Sequence, residues 1–188
     1  VHNGLHPRRH ESPQPFFGRP KWVGYWSSPD RGLHHLLRAW PEVLRREPEA
    51  RLHVFYEVDK YLSFAPGCPG PLGERGRILA NLVPRAKADP TITFHGAVPR
   101  DVLSSTQNKC RVMCYPYQPI AYCEGFGGAV NQGIQAGCHV LLTLKDAFPS
   151  LYADQVTSLP LDPTVMERAL QSAIVTSLNV SPGEHQSP

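Results

Sequence analysis

Short apolar runs alternate with segments of helical periodicity along most of this chain. That alternation constrains the fold more than any other feature of the sequence. Residues 21–25 (KWVGY) read as a first strand, 51–56 as a second, 91–94 as a third, 111–115 as a fourth and 139–142 as a fifth. Between the first two, Leu33, Leu36, Leu37, Trp40, Val43 and Leu44 recur at helical spacing, which predicts an amphipathic helix over 30–46. Ser28 is its candidate N-cap and Pro29 its first helical residue. Further helices are expected over 74–87, 99–108, about 128–136 and 163–178. The stretch 57–73, rich in Gly and Pro, reads as a long loop.

Strands separated by helices need crossover connections, and these give a parallel sheet covered on both faces. Right-handed crossovers wind such units into a Rossmann-like, doubly wound parallel sheet, a three-layer α/β/α sandwich. The expected organisation is a connector over 1–20, punctuated by Pro7, Pro13, Pro15 and Pro20, one domain over 21–178 and a frayed tail over 179–188. Ligands of such sheets sit outside the carboxyl ends of the strands. The loops after Tyr25, Phe94, Tyr115 and Leu142 are therefore where chemistry is sought.

Composition excludes several classes. No run approaches 18 apolar residues, so no transmembrane segment is expected. Residues 1–51 hold nine basic and five acidic side chains and the remainder ten and eleven, with no Arg/Lys stripe interleaved with aromatics. That distribution argues against a nucleic-acid partner. It suits a small anionic ligand at the positive end. The start carries neither an initiator Met nor a signal peptide and reads as a fragment beginning in mid-protein. Five cysteines match no common zinc spacing, and Cys114 and Cys138 sit in or beside apolar runs, which points to buried free thiols and a reducing, cytoplasmic location, with a disulfide as the alternative. There is no G-x-G-x-x-G, no G-x-x-x-x-G-K-[ST] and no G-x-S-x-G, which removes the main support for dinucleotide enzymes, P-loop NTPases and serine hydrolases.

Two loops stand out. Residues 25–32 (YWSSPDRG) place Ser27, Ser28 and Arg31 at a helix N-terminus, where free N–H groups, the helix dipole and a guanidinium would favour phosphate. An ordinary capped helix with a solvated arginine is the alternative. Residues 124–132 (EGFGGAVNQ) place three glycines just before a second helix, with Glu124 available to vicinal hydroxyls. A flexible connector with a surface glutamate is the alternative there. His34 and His35 have polar-face spacing and read as a solvated pair. His95 ends a strand in the ligand region, while His53 and His139 read as strand residues.

Four segments give the chain a family likeness. Residues 1–5 (VHNGL) are similar to the V-x-N-G-[IV] segment that opens the carboxy-terminal, donor-binding domain of GT-B glycosyltransferases of the family 4 type. Residues 22–33 (WVGYWSSPDRGL) resemble that family's first strand, phosphate loop and helix. Residues 94–99 (FHGAVP), followed by Leu103, resemble its h-x-G-x-v segment. Residues 124–127 (EGFG), followed by 136–138 (AGC), resemble its E-x7-E loop and helix. Together they span nearly all of residues 1–178.

The resemblance implies a retaining transferase that moves a sugar from a UDP-, GDP- or ADP-linked donor to an acceptor hydroxyl, without a metal or other cofactor. It implies that Glu124 binds the donor sugar as the catalytic residue. The backbone of Phe126, Gly127 and Gly128, with Arg31, Ser27 and Ser28, would hold the diphosphate, while Val98 and His95 would border the nucleobase. The family's second glutamate, which holds the ribose, falls at Gln132, a departure that lowers charge assistance. The usual basic residue just after the first strand is also missing. Gly133, inside a helix, implies close backbone packing. An amino-terminal acceptor domain would be a missing partner, any contact with a membrane surface would run through it, and the fragment alone would be inactive. Gln132 and the missing cation also motivate another class, a degenerate GT-B-like scaffold or weak nucleotide binder. An unrelated flavodoxin-like or response-regulator-like domain is a third reading, and the latter lacks its expected acidic cluster.

Overall fold

The structure, a computed structural model, describes residues 15–118, 120 and 125–180. The described part of the chain builds a six-stranded, wholly parallel sheet of order β3-β2-β1-β4-β5-β6. The strands are β1 (Trp22–Tyr25), β2 (Arg51–Val54), β3 (Ile92–Phe94), β4 (Val112–Tyr115), β5 (His139–Thr143) and β6 (Thr157–Leu159). The helices are α1 (Leu33–Arg46), α2 (Val58–Phe64), α3 (Gly70–Ala88), α4 (Arg100–Gln107), α5 (Gly128–Gln135), α6 (Phe148–Tyr152) and α7 (Pro163–Leu178). β1, β2 and β3 step across the sheet in one direction and β4, β5 and β6 in the other. Right-handed crossovers therefore put α1 to α3 on one face and α5 and α6 on the opposite one. α7 returns to pack on α1.

The central strands are buried on both faces, which is why they read as continuous apolar runs rather than alternating ones. Trp40 of α1 is fully buried and its indole N–H donates to Thr91 Oγ1 at 3.0 Å, tying the helix to the start of β3. On the other face, a Cβ added to Gly133 of α5 would lie 3.1 Å from Met113 Cγ and 3.3 Å from Val140 Cγ2. The expected close approach of that helix to the sheet is present, and a larger residue there would require the Met113 and Val140 side chains to yield by a few tenths of an ångström.

Three features differ from the sequence reading. First, the expected loop over 57–73 contains α2, a 3-10 turn over 65–67 and the start of α3. Gly73 and Gly76 face the backbone of that turn, with a Cβ at Gly76 only 2.6 Å from Ala65 C, so these glycines let a helix pack where their number suggested irregular chain. Second, α6 and β6 follow β5 and extend the sheet to six strands. Third, His34 and His35 are each 3% exposed rather than solvated. α3 lies on one side of α1 and α7 on the other, so the face that looked polar by periodicity is covered.

Candidate functional site

In this strand order the chain leaves β1 toward one edge of the sheet and β4 toward the other. The crevice where a doubly wound sheet binds its ligand thus opens between the carboxyl ends of β1 and β4. Two loops frame it. One runs from Trp26 through a 3-10 turn over 29–31 to Gly32, whose left-handed backbone (φ 112°) starts α1. The other enters α5 through Gly127, also left-handed (φ 63°).

The first loop converges on Tyr115, the last residue of β4. Ser27 Oγ lies 3.1 Å from the Tyr115 hydroxyl, and Arg31 Nη1 donates to that hydroxyl at 3.2 Å. Burial raises the Tyr115 phenol pKa, with the Ser27 and Arg31 contacts acting in the other direction, so it remains a protonated hydroxyl at neutral pH. Ser28 is used differently. Its carbonyl accepts from Tyr25 OH at 2.6 Å and its hydroxyl bonds the Asp30 carboxylate, so it makes no side-chain cap on a helix N–H. Behind the loop, Arg75 of α3 donates to Asp30 O at 2.9 Å and approaches His34 Nδ1 at 3.3 Å. Burial, with Arg75 beside it, lowers the His34 pKa to about 2 and keeps the ring neutral. A Cβ on Gly32 would lie 2.0 Å from the carbonyl oxygen of Pro116, so this loop and the exit from β4 touch backbone to backbone.

The second loop reaches the same place from the other side. The Tyr115 and Phe148 rings lie 6.0 Å apart, and a Cβ on Gly127 would sit 2.6 Å from the Phe148 ring. The Phe126 carbonyl accepts from the Tyr152 hydroxyl and from Asn131 Nδ2 at 3.4 Å, which fixes the peptide just before α5. Trp26 reaches across the crevice. It donates from Nε1 to Ala129 O at 2.8 Å, and its ring covers Gly24. Val130 N–H and Asn131 N–H donate to the Gly127 carbonyl at 2.8 and 3.1 Å and close the first turn of α5, whose positive dipole end lies at Gly127.

Beside the crevice lies an open cavity of about 380 Å³ with aromatic walls, Trp26, Phe55, Tyr56, Tyr61 and Phe64, and with Val98 also in its lining. Its charged residues are Glu57 and Lys60. His95 is not among its lining residues. It borders an adjoining depression, stacked in parallel on Phe55 with ring centres 4.1 Å apart, and its Nε2 lies 2.9 Å from His53 Nδ1. Among the described residues His53 Nε2 is buried without a partner, which favours the tautomer with the proton on Nδ1, donated to His95. The side-chain Oε1 of Gln132, in α5, accepts from Gln107 Nε2 of α4 at 3.0 Å.

The structure therefore brings Ser27, Arg31, Gly127 and Gly128 to one crevice and Val98 to the adjoining cavity. Ser28 turns to Asp30, His95 to His53 and Gln132 to Gln107. Glu124, residues 1–5 and Cys123 lie outside the described residues. Sequence reasoning missed Tyr115, Trp26 and Arg75 as parts of the site. Tyr115 carried a signal in hindsight, a polar aromatic at the carboxyl end of a central parallel strand. Cys110, Cys114 and Cys138 are buried free thiols, and burial raises their pKa values, Cys138 to about 12. Among the described residues no group of three or more His, Cys, Asp or Glu is placed to hold a metal, and no helix is long and apolar enough to cross a membrane.

Residues 21–179 match the sequence profile of the glycosyl transferases group 1 family. A sequence comparison with curated proteins gives no significant match. Among solved structures, a trehalose-6-phosphate synthase studied with bisubstrate glycomimetics superposes with a TM-score of 0.69 at 12% identity, over 95% or more of this chain and under half of its own (96% and 44%). Anabaena HepE, in complex with UDP and glucose, gives 0.62 at 15% identity, covering 95% of this chain and 47% of its own. The C-terminal domain of a group 1 family glycosyl transferase (LpcC) from Francisella tularensis gives 0.53 at 16%, covering 92% and 88%. The chain thus spans less than half the length of the first two. At these identities the likeness establishes the fold, that of GT-B glycosyltransferases. With the family profile covering 21–179 of 188 residues on that fold, the chain belongs to the glycosyl transferases group 1 family.

Proposed function

We propose that this domain binds the nucleoside-diphosphate-sugar donor of a retaining glycosyltransferase of the family 4 type. The observation that carries this is the meeting of Arg31 and the α5 N-terminus across Tyr115 and Phe148 at the β1/β4 switch point, next to an aromatic cavity. A guanidinium and a helix N-terminus that converge on one crevice suit a diphosphate. The cavity, with Val98 at its wall, suits the nucleobase that the diphosphate carries. UDP and glucose bound to HepE support the same class of ligand.

In this reading the departing diphosphate is the group whose developing charge must be met. Arg31 and the first N–H groups of α5 at Gly127 and Gly128 do so from fixed positions, without reorganisation in the transition state. Glu124 orients the sugar. Neither a metal nor another cofactor is required for these steps. A second, acceptor-binding domain facing the carboxyl ends of the strands would complete the reaction, so the 188 residues alone would transfer little or no sugar. A second reading, a degenerate scaffold or weak nucleotide binder, is favoured by one observation: Gln132, the expected ribose residue, is hydrogen-bonded to Gln107.

Thermal denaturation with UDP, GDP, ADP and their sugar conjugates separates the two. A ligand at 100 times its Kd should add about 2.7 kcal/mol of stability and raise Tm accordingly. Absence of any shift at millimolar nucleotide would contradict the donor-site reading and favour the scaffold.

A further inference from the structure

We propose that Tyr115 is a further donor-site residue, joined with Ser27 and Arg31 in a cluster that presents one hydroxyl proton to the diphosphate oxygens. This rests on the donor-site reading above and assigns a role to a residue that the family motifs leave out. It follows from counting protons. Arg31 Nη1 donates to the Tyr115 oxygen. The Ser27 and Tyr115 hydroxyls are 3.1 Å apart and share one hydrogen bond between them, which uses one of their two protons. Among the described residues no acceptor takes the other. Tyr115 is 1% exposed, and its ring packs against those of Tyr117 and Phe148, with centres 5.6 Å and 6.0 Å away. The hydroxyl therefore cannot swing to bulk solvent to place that proton. When Tyr115 donates to Ser27, the remaining proton is that of the Ser27 hydroxyl, which is half-buried on the loop that frames the crevice.

The chemistry this fits is an oxyanion. The Arg31 contact withdraws charge from the phenol oxygen, which makes a hydroxyl of the cluster a better donor, and a phosphate oxygen is the acceptor that gains most from it.

The test compares nucleoside diphosphate with the matching nucleoside, because a contact to phosphate changes the affinity for one and not the other. UDP and uridine, GDP and guanosine, and ADP and adenosine are titrated calorimetrically into the parent chain, Tyr115→Phe, Ser27→Ala and the control Tyr117→Phe. The Tyr117 ring packs on Tyr115, but its hydroxyl donates to Asp146 at 2.7 Å and makes no bond to Ser27, so Tyr117→Phe keeps the packing and leaves the cluster's hydrogen bonds intact. Tyr115→Phe should weaken the diphosphate that the parent binds by about tenfold or more. Nucleoside affinity should stay within about twofold. Ser27→Ala should show the same split, and Tyr117→Phe should show none. Unchanged diphosphate affinity in both cluster variants would overturn the role of Tyr115 while leaving the donor site intact. An equal loss for nucleoside and diphosphate would mark a structural role and also overturn it. A parent that binds no nucleoside diphosphate would overturn both this role and the donor-site reading.

Discussion

His34 and His53 show how this domain constrains single side chains. Each is more than nine-tenths buried, and burial lowers both pKa values, to about 2 for His34, beside Arg75, His35 and Arg38, and to about 4 for His53, beside His95. An unfolded chain protonates these rings near pH 6.5. The stability that rests on their neutral forms is therefore complete above pH 6.5 and is lost as pH falls toward the folded values. The slope is up to about 1.4 kcal/mol per pH unit for each histidine. Urea titrations at pH 7 and pH 5 should give a lower unfolding free energy at pH 5, with a shallower pH dependence in His34→Gln. Equal stability at the two pH values would contradict the burial of neutral imidazoles. Nothing in the sequence distinguished His34 and its neighbour His35 from solvated histidines, since spacing along a helix shows one apolar stripe and does not show that two neighbouring helices cover both flanks. Arg31 and Ser27 were legible because their loop matches a family pattern. Tyr115 was not, because an aromatic that ends an apolar run reads as core until the partners of its hydroxyl are seen.

The elements were legible to the extent that each had a period long enough to register. α7 runs over 163–178, the range its apolar spacing gives, and β1 to β5 fall on the apolar runs. β6 has a single buried residue, Leu159, and pairs by its backbone with β5, so no apolar run announced it. α6 has five residues and α2 seven, too few turns for a periodic stripe. What joins the elements at the crevice is backbone contact. The start of α1 and the exit of β4 meet at Gly32, where both the positive φ and the Pro116 carbonyl require a glycine. Gly32→Ala should cost about 2 kcal/mol or more in urea unfolding, because the backbone of one loop must move to admit the methyl group. A variant as stable as the parent would mean that the two loops are not held against one another.

At the scale of the whole molecule, the order β3-β2-β1-β4-β5-β6 puts a single switch point at the carboxyl ends of the strands. The features assembled above converge on it: the Ser27–Arg31–Tyr115 cluster, the α5 N-terminus behind Gly127, and the aromatic cavity that Val98 helps line. The family membership and the GT-B fold agree with that convergence, and the central claim built on it is that Arg31 faces the diphosphate of a nucleotide-sugar donor. Calorimetric titration of the parent and Arg31→Ala with the nucleoside diphosphate that stabilises the parent most is the direct measurement. The parent should show one site per chain, and binding should be weakened at least tenfold in Arg31→Ala, at the scale of one charge-assisted hydrogen bond. Arg31→Ala binding as tightly as the parent would contradict the central claim.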